Sequence, residues 1–289
     1  MMWFSSLLPF FLLLSYSAYA EEMNVEGRLI SGAQGIYSLE LSNGAFKYIK
    51  SLPTFSIDGV NKIDEYRLLV SSFNLSPSKQ RAKIAIYNLQ SNELKYVLDG
   101  SRAIYIAKYK KIIFYGWKGL SITDVDGDFE SIEVIDSAAS AMPVVLVSSS
   151  EFLYERMQDG KYGIWKYNFE SKSAKELLGL KDCSLSHAVW RSATNELLCS
   201  QRLENGRYTG KYLSTNLTGE KRQYISFGKG KFWPVIYIDS LDVIVLQERS
   251  ASLFKGEFHP VHIYSFIDGS KTKIAEDDML SQSIVYIRD

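Results

Sequence analysis

One short motif recurs six times along the chain and constrains its fold more than any other feature. Each copy consists of a Tyr or Thr, a small polar residue and an apolar residue, followed at once by residues that favour turns. The copies are Tyr37-Ser38-Leu39, Tyr87-Asn88-Leu89, Thr123-Asp124-Val125, Tyr167-Asn168-Phe169, Thr215-Asn216-Leu217 and Tyr264-Ser265-Phe266. Successive copies lie 36 to 50 residues apart. Periods of this length are typical of solenoids and propellers.

The residues around each copy distinguish between these two architectures. The motif lies in a run that alternates apolar and polar residues, which is the period of a half-buried strand. Gly, Asn and Asp in the turns that follow, as in Ser42-Asn43-Gly44 and Asp268-Gly269-Ser270, tolerate the positive φ of tight hairpins. Further runs rich in Val, Ile and Tyr precede and follow each motif. Four strands per repeat make a propeller blade, so we predict an all-β, six-bladed propeller of four-stranded antiparallel blades.

The first and last repeats are predicted to complete one another. The propeller domain covers residues 21–289, and its first blade, which begins near Arg28, shows only three strands. After the last outer strand the chain continues into Ser283-Ile284-Val285-Tyr286-Ile287. This carboxyl-terminal strand would supply the missing innermost strand and close the ring, leaving no gap between the first and last blades.

The first twenty residues have the composition of a secretory signal peptide. An apolar core from Leu7 to Leu14 precedes Ala18-Tyr19-Ala20, which fits the small-x-small pattern of a cleavage site, although no Lys or Arg stands before the core. The alternative is an uncleaved anchor, for which the apolar run is short. We therefore predict that residues 1–20 are removed and that the protein is periplasmic or secreted, with no membrane span after cleavage.

The charge balance and the cysteines bound the function further. Lys and Arg together number 33, as do Asp and Glu, and this balance argues against a nucleic-acid partner, which needs a strongly positive surface. Cys199 lies in a predicted second strand and Cys183 just ahead of the first strand of the same blade. In an oxidising compartment such a pair can close a disulfide, but the offset places Cys199 nearer His187. A disulfide and two small buried thiols both remain open.

Sequence motifs for catalysis and metal binding are weak or missing. The chain contains no G-x-S-x-G, P-loop or G-x-G-x-x-G sequence. Asp124, Asp126 and Asp128 have the alternate spacing of a calcium loop, but Phe129 and Ile135 stand where Gly and Glu are required. A plain turn explains this segment better.

The histidines do not form a ligand set either. His259 and His262 are three residues apart, which on a strand points them to opposite faces. His187, at the start of a predicted inner strand, has no evident partner. We therefore predict no catalytic residue, no metal site and no cofactor.

Aromatic residues beside cations are concentrated in the connections between the second and third strands of the predicted blades. Such pairs are typical of recognition surfaces, and variable connections on a rigid scaffold commonly carry binding function. The candidate partner-binding residues are Trp117, Lys118, Lys161, Tyr162, Arg207, Tyr208, Phe254, Lys255, Phe258 and His259. The opposing interpretation is that they are ordinary scattered surface aromatics.

The repeats resemble the blades of TolB-like β-propellers of the bacterial periplasm over residues 28–289. The resemblance is carried by Gly35-Ile36-Tyr37-Ser38-Leu39, Ile164-Trp165-Lys166-Tyr167-Asn168-Phe169 and Ile263-Tyr264-Ser265-Phe266. One feature departs from that family, because Arg191-Ser192-Ala193-Thr194-Asn195 and Asp239-Ser240-Leu241 replace its Ser-Pro-Asp-Gly turn between the first two strands. The resemblance implies a soluble, exported binding scaffold.

Two functional classes remain open from the sequence. The first, which we favour, is a monomeric, non-enzymatic scaffold that binds an envelope protein or a glycan through the connections described above. The second is a hydrolase or lactonase-like enzyme with a metal in the axial channel, which would need convergent Glu, Asp, Asn or His side chains. The predicted starts of the inner strands offer a poor ligand set, namely Pro53, Arg102, Pro143, His187, Trp233 and Gln282.

Overall fold

The described part of the chain is built from β-strands. A computed structural model of the protein describes residues 28–32, 35–41, 46–51, 57–72, 82–126, 132–140, 143–203, 208–252, 256–275 and 285–287. Within these ranges the helical segments are single turns of 3-10 helix at Ala107–Tyr109, Leu178–Leu180 and Asp239–Leu241. Over the same ranges, no helix has the length and apolar character needed to cross a membrane. The all-β prediction is confirmed.

The strands form antiparallel sheets in a propeller arrangement, numbered 1 to 6 along the chain. Sheet 1 contains β1 (Arg28–Gly32), β2 (Gly35–Glu40), β3 (Phe46–Ser51) and the terminal strand β25 (Val285–Ile287); sheet 2 contains β4 (Ile57–Lys62), β5 (Arg67–Ser72), β6 (Lys83–Asn88) and β7 (Leu94–Asp99); sheet 3 contains β8 (Ser101–Ile106), β9 (Lys111–Gly116), β10 (Gly119–Asp124) and β11 (Glu133–Asp136). Sheet 4 contains β12 (Val145–Leu146), β13 (Glu151–Gln158), β14 (Lys161–Asn168) and β15 (Ser173–Glu176); sheet 5 contains β16 (Cys183–Arg191), β17 (Glu196–Arg202), β18 (Tyr208–Thr215) and β19 (Arg222–Ile225); sheet 6 contains β20 (Lys231–Ile238), β21 (Val243–Ser252), β23 (Val261–Ser265) and β24 (Lys271–Ala275), with β22 (Gly256–Phe258) paired to the end of β21.

The small polar residue of the recurring motif shapes the hairpin between the third and fourth strands of a sheet. In sheet 4 the carboxamide oxygen of Asn168 accepts hydrogen bonds from the backbone N–H groups of Glu170 (2.8 Å) and Ser171 (3.0 Å). Asn88 binds the following turn of sheet 2 in the same way. Asn and Asp stabilise turns through such bonds to their own backbone, so the turn itself accounts for a polar residue at this position.

The apolar residue of the motif ties the outer part of a sheet to its inner hairpin. The N–H of Phe169 donates to the carbonyl oxygen of Ser150 (2.9 Å), in the turn that joins β12 to β13. Leu89 makes the corresponding bond to Tyr66 in sheet 2 (2.7 Å). Both side chains also pack against a hydrophobic core. The repeat is therefore required by local hydrogen bonding and by packing together.

The hydrophobic cores lie between neighbouring sheets. Leu153 of sheet 4 packs with Leu197 of sheet 5, and clusters of the same kind join the other consecutive sheets. A further cluster joins Leu29 of sheet 1 to Val245 and Ile263 of sheet 6, so the last sheet packs on the first. Each large apolar side chain buried in these clusters contributes about 1.5 to 3 kcal/mol. Contacts between consecutive sheets therefore hold the arrangement together.

The terminal strand completes sheet 1 at its inner edge. β25 pairs antiparallel with β1, and Leu29 lies opposite Tyr286 in this register. The predicted pairing of the two chain ends is thus confirmed for Val285–Ile287. The predicted residues Ser283 and Ile284 lie outside the described residues.

The turns that replace the Ser-Pro-Asp-Gly sequence have a common geometry. Asn195 (φ 54°) and Asp242 (φ 47°) both take the left-handed conformation at the last position of the turn. Their N–H groups donate to the carbonyl oxygens of Ser192 and Asp239, at 3.3 Å in each case. Asn and Asp adopt this conformation more readily than other residues with a Cβ. The departure from the family sequence therefore leaves a compact turn in place.

Candidate functional site

The structure corrects the predicted loop positions of several candidate residues. β13 ends at Gln158 and β14 begins at Lys161, so Lys161 and Tyr162 lie in a strand rather than in a loop. The connection is only Asp159 and Gly160, both at positive φ (52° and 74°). Two such residues form the tight hairpin turn whose twist matches that of paired strands.

The remaining candidates divide into three groups. Trp117 and Lys118 form the two-residue turn between β9 and β10, and His259 lies in the connection between β22 and β23, as predicted. Tyr208 is the first residue of β18 and Phe258 the last residue of β22, so both are strand residues. Candidates outside the described residues are Arg207, Phe254 and Lys255.

Two of the predicted tyrosines adjoin one arginine at the boundary of sheets 4 and 5. The guanidinium of Arg202 lies 4.4 Å from the ring centroid of Tyr162. Tyr208 is the cross-strand partner of Arg202, and Met157 is the cross-strand partner of Tyr162. Tyr162 and Tyr208 remain 37% and 50% exposed. Met157 is also exposed, and these residues form what we call the tyrosine patch: Met157, Tyr162 and Tyr208.

A buried ion pair supports the tyrosine patch from below. Arg202 Nη1 lies 2.9 Å from Glu155 Oε2, and the two side chains are only 4% and 0% exposed. The other carboxylate oxygen of Glu155 accepts hydrogen bonds from Ser184 Oγ (2.7 Å) and from the N–H of Leu185 (2.6 Å). Arg202 Nη2 donates to the carbonyl oxygen of Cys183 (3.2 Å). Buried charges need such partners, and the whole arrangement fixes the ring of Tyr162.

The two cysteines are joined in the structure. Cys183 and Cys199 form a disulfide with their Cα atoms 5.6 Å apart. Cys183 is the first residue of β16, not a residue ahead of the strand, and it lies opposite Gln201. Between Ser184 and Val189 the strand carries a bulge, which shortens the offset that the sequence alone indicated. The disulfide and the ion pair thus share the backbone of Cys183.

The bulge of β16 carries His187 in the left-handed conformation (φ 59°). His187 therefore lies within the inner strand rather than at its start. Its ring centroid is 5.6 Å from that of Trp233 on β20, and Trp233 in turn lies 5.9 Å from the ring of His259. Burial lowers the pKa of His187 to about 4, and the charge of Arg102 acts in the same direction. His187 is therefore neutral at physiological pH.

The described residues bring together no group of three potential metal ligands. Asp124 pairs with Lys111 (2.8 Å), and Asp126 pairs with Arg67 (3.0 Å). His262 hydrogen-bonds to Glu248 (2.9 Å), whereas His259 packs beside Trp233. The carboxylates and imidazoles singled out from the sequence therefore have structural partners, whereas Asp128 lies outside the described residues.

Trp117 and Lys118 lie apart from the tyrosine patch, between sheets 2 and 3. The Lys118 Nζ atom is 4.7 Å from the ring centroid of Trp117, which is 83% exposed. Both residues line a pocket of about 270 Å³, together with Leu98, Phe114 and Val134. The predicted sites thus separate into two surfaces on different sheets.

The fold and the site define a β-propeller that presents aromatic side chains on rigid strands. No protein-family model and no curated protein matches the sequence. Among solved structures, the chain is similar to TolB from Acinetobacter baumannii, with a TM-score of 0.65 and 11% identity over 89% of this chain. It spans 65% of the length of that TolB chain.

Two further structures share the fold over nearly their whole length. A putative TolB from Agrobacterium tumefaciens has a TM-score of 0.60 and 10% identity, with 91% of this chain and 98% of that chain covered. A chain of the nidogen/laminin complex has a TM-score of 0.63 and 9% identity, with 89% and 97% covered. The resemblance to TolB-like propellers is therefore confirmed, and at these identities it concerns the fold.

Proposed function

We propose that the chain is an exported, non-enzymatic propeller that binds a protein partner through the tyrosine patch. The carrying observation is that Tyr162 and Tyr208 are both exposed and both adjoin Arg202, with the ring of Tyr162 held on its guanidinium. Aromatic side chains that are held rigidly lose little entropy on binding and commonly dominate the affinity of an interface. A glycan is the alternative ligand for such rings.

The scaffold in this proposal is a ring of six blades closed by β25. Support comes from the six sheets of the described residues and from the cores between them, which run from each sheet to the next and from sheet 6 to sheet 1. A closed ring exposes no sheet face at its seam. It would therefore act as a monomer and present fixed surfaces to a partner.

Export of the chain is supported by two features. Residues 1–20 have the composition of a cleavable signal peptide, and Cys183 and Cys199 form a disulfide, a bond that persists in oxidising compartments. We place the protein in the periplasm or outside the cell. The amino-terminal sequence and mass of the purified natural protein test the cleavage of residues 1–20, and an intact Met1 would contradict it.

Binding to a partner is tested with full-length protein as bait in envelope extracts, followed by affinity measurement with the purified partner. Tyr162→Ala and Tyr208→Ala should each weaken binding about thirtyfold, the effect of losing an anchor worth ~2 kcal/mol. Tyr208→Phe keeps the ring and should retain most of the affinity. Ser171→Ala and Ser270→Ala, in turns between third and fourth strands, are controls that should change nothing.

The melting temperature separates binding from packing. If the tyrosines only cover their own sheet boundary, the alanine variants will melt earlier and bind with unchanged affinity, which would contradict the proposal. Loss of binding confined to the control turns would place the site elsewhere. Treatment of the extract with glycosidases distinguishes a glycan from a protein ligand. Binding that depends on a glycan would be lost after the treatment, whereas binding to a protein surface would remain.

A further inference from the structure

We propose that the outer strand of sheet 3, β11, is a second docking site, which accepts an extended peptide segment with alternating apolar and basic residues. This site is separate from the tyrosine patch and does not depend on the function proposed above. Its elements are the edge of β11, the pocket beside Trp117 and the exposed carboxylate of Glu133.

β11 is the outer strand that is least protected against pairing. Among the described residues it pairs with β10 on one side and is the last strand of its sheet. The other five outer strands, β3, β7, β15, β19 and β24, each contain a Lys or Arg, whereas β11 contains none. Basic residues on an edge strand discourage the addition of another strand. β11 lacks this protection.

The charged residues of β11 itself, Glu133 and Asp136, are both acidic. Asp136 lies 3.7 Å from Arg156 and so has a cation beside it, as do Asp124, Asp126, Glu151 and Glu155 elsewhere in the chain. Glu133 is exposed on β11 and has no ion-pair partner among the described residues. A segment with basic side chains is the complementary ligand for Glu133 at this exposed edge.

The pocket supplies the apolar half of the recognition. Val134 lines it together with Ile132, which precedes the strand, and both are exposed, as is Trp117 at its rim. Ile135 points to the opposite face, where it packs against the core between sheets 3 and 4. Alternate side chains of an added strand continue the two faces of the sheet. Every second residue would therefore enter the pocket beside Trp117, and the residues between would lie on the side of Glu133.

The test uses full-length protein and a nine-residue peptide that alternates lysine and valine, with both ends blocked. Its controls are a peptide of equal composition with the valines in one block and a peptide that alternates glutamate and valine. Affinity is measured by isothermal titration calorimetry at low and at high salt. The alternating lysine peptide should bind at least tenfold more tightly than either control, and less tightly at high salt.

Variants assign this binding to β11. Glu133→Lys, which gives the strand the kind of residue found on the other edges, and Trp117→Ala should each weaken peptide binding tenfold or more. Glu176→Lys makes the same charge change on β15, the outer strand of the neighbouring sheet, and should have no effect. The proposal would be overturned if the control peptide with its valines in one block bound as tightly as the alternating lysine peptide. It would also be overturned if Glu176→Lys weakened binding as much as Glu133→Lys.

A second copy of the chain is the other conceivable occupant of the edge. Sedimentation velocity detects it as dimerisation that Glu133→Lys suppresses. Dimerisation of this kind without peptide binding would overturn the peptide proposal, and a monomer that binds the peptide supports it. The tyrosine patch is untouched by these variants, so failure here leaves the function proposed above unaffected.

Discussion

Arg202 and Glu155 form an ion pair across the boundary of two sheets, with 2.9 Å between Nη1 and Oε2 and almost no exposure of either side chain. Glu155 belongs to β13 of sheet 4, and Arg202 ends β17 of sheet 5. The pair adds a directional contact to a boundary that is otherwise held by apolar packing. It also places the guanidinium under the ring of Tyr162, so that the scaffold and the proposed binding surface share one residue.

Replacement of Arg202 alone should strongly destabilise the protein. Arg202→Met leaves the carboxylate of Glu155 buried without its cation, and breaking a buried pair in this way costs about 3 to 5 kcal/mol. The melting temperature should fall by on the order of 10 °C. Differential scanning calorimetry or urea unfolding measures the change.

Two further variants isolate the effect of the unpaired charge. The double variant Glu155→Leu with Arg202→Met replaces both charges by apolar groups and should recover much of the lost stability. Lys108→Met breaks the exposed pair of Lys108 and Glu170 (2.8 Å) and should change stability by less than about 1 kcal/mol. Equal effects of Arg202→Met and Lys108→Met would show that the buried pair has no special role.

Loss of the disulfide should destabilise the same boundary. Cys183 and Cys199 are 16 residues apart, and closing a loop of this length stabilises a protein by about 3 kcal/mol. The variant Cys183→Ala with Cys199→Ala should therefore melt several degrees below the wild-type protein. Dithiothreitol should lower the melting temperature of the wild-type protein and leave that of the double variant unchanged. Two free thiols per chain in freshly purified protein would contradict the bond.

The sequence predicts the outer turns well because their cause is local. The residues that shape them, such as Asn88 and Asn168, bind backbone groups two and three positions further on. A motif of this kind recurs wherever the turn recurs. The all-β repeat and the pairing of the two chain ends follow from the same periodicity, since an incomplete first repeat and a surplus terminal strand are visible in the sequence.

The support of the tyrosine patch is not visible in the sequence, because its cause is not local. Glu155 and Arg202 are 47 residues apart. A charged residue in a strand ordinarily faces solvent, so neither position by itself indicates a buried ion pair. The sequence leaves the disulfide open for a related reason. A regular register counted back from Trp190 keeps Cys183 away from Cys199, whereas the bulge between Ser184 and Val189 brings the two together. Irregularities of this kind depend on contacts between sheets, which local patterns do not encode.

His187 should make stability depend on pH between about 6.5 and 4. Burial lowers its pKa from 6.5 to about 4, so in this window the unfolded chain binds a proton that the folded chain does not. Stability is therefore complete above pH 6.5 and declines as the pH falls towards 4, by at most about 3 kcal/mol. His187→Asn removes the titrating group and keeps a residue that tolerates positive φ.

Because other groups also titrate, the comparison between variant and wild type is the measurement. Burial lowers the pKa of His262 as well, an effect that Glu248 partly offsets. As the pH falls from 7 to 5, the unfolding free energy of the wild-type protein should fall more than that of His187→Asn. A constant difference over this range would show that His187 is accessible to protons in the folded protein.

Removal of residues 281–289 should open the ring at its seam. β25 pairs with β1 along Arg28, Leu29 and Ile30, and without it this edge of sheet 1 loses its hydrogen-bonded neighbour. Leu29 and Ile30 are buried, and Leu29 belongs to the core that joins sheets 1 and 6. Exposure of both side chains costs about 2 kcal/mol each, a large part of the net stability of a typical domain. Removal of residues 288–289 alone, which follow β25, is the matched control and should leave the melting temperature unchanged. Equal melting temperatures for the long truncation and the full chain would mean that the ring is closed by contacts other than this strand.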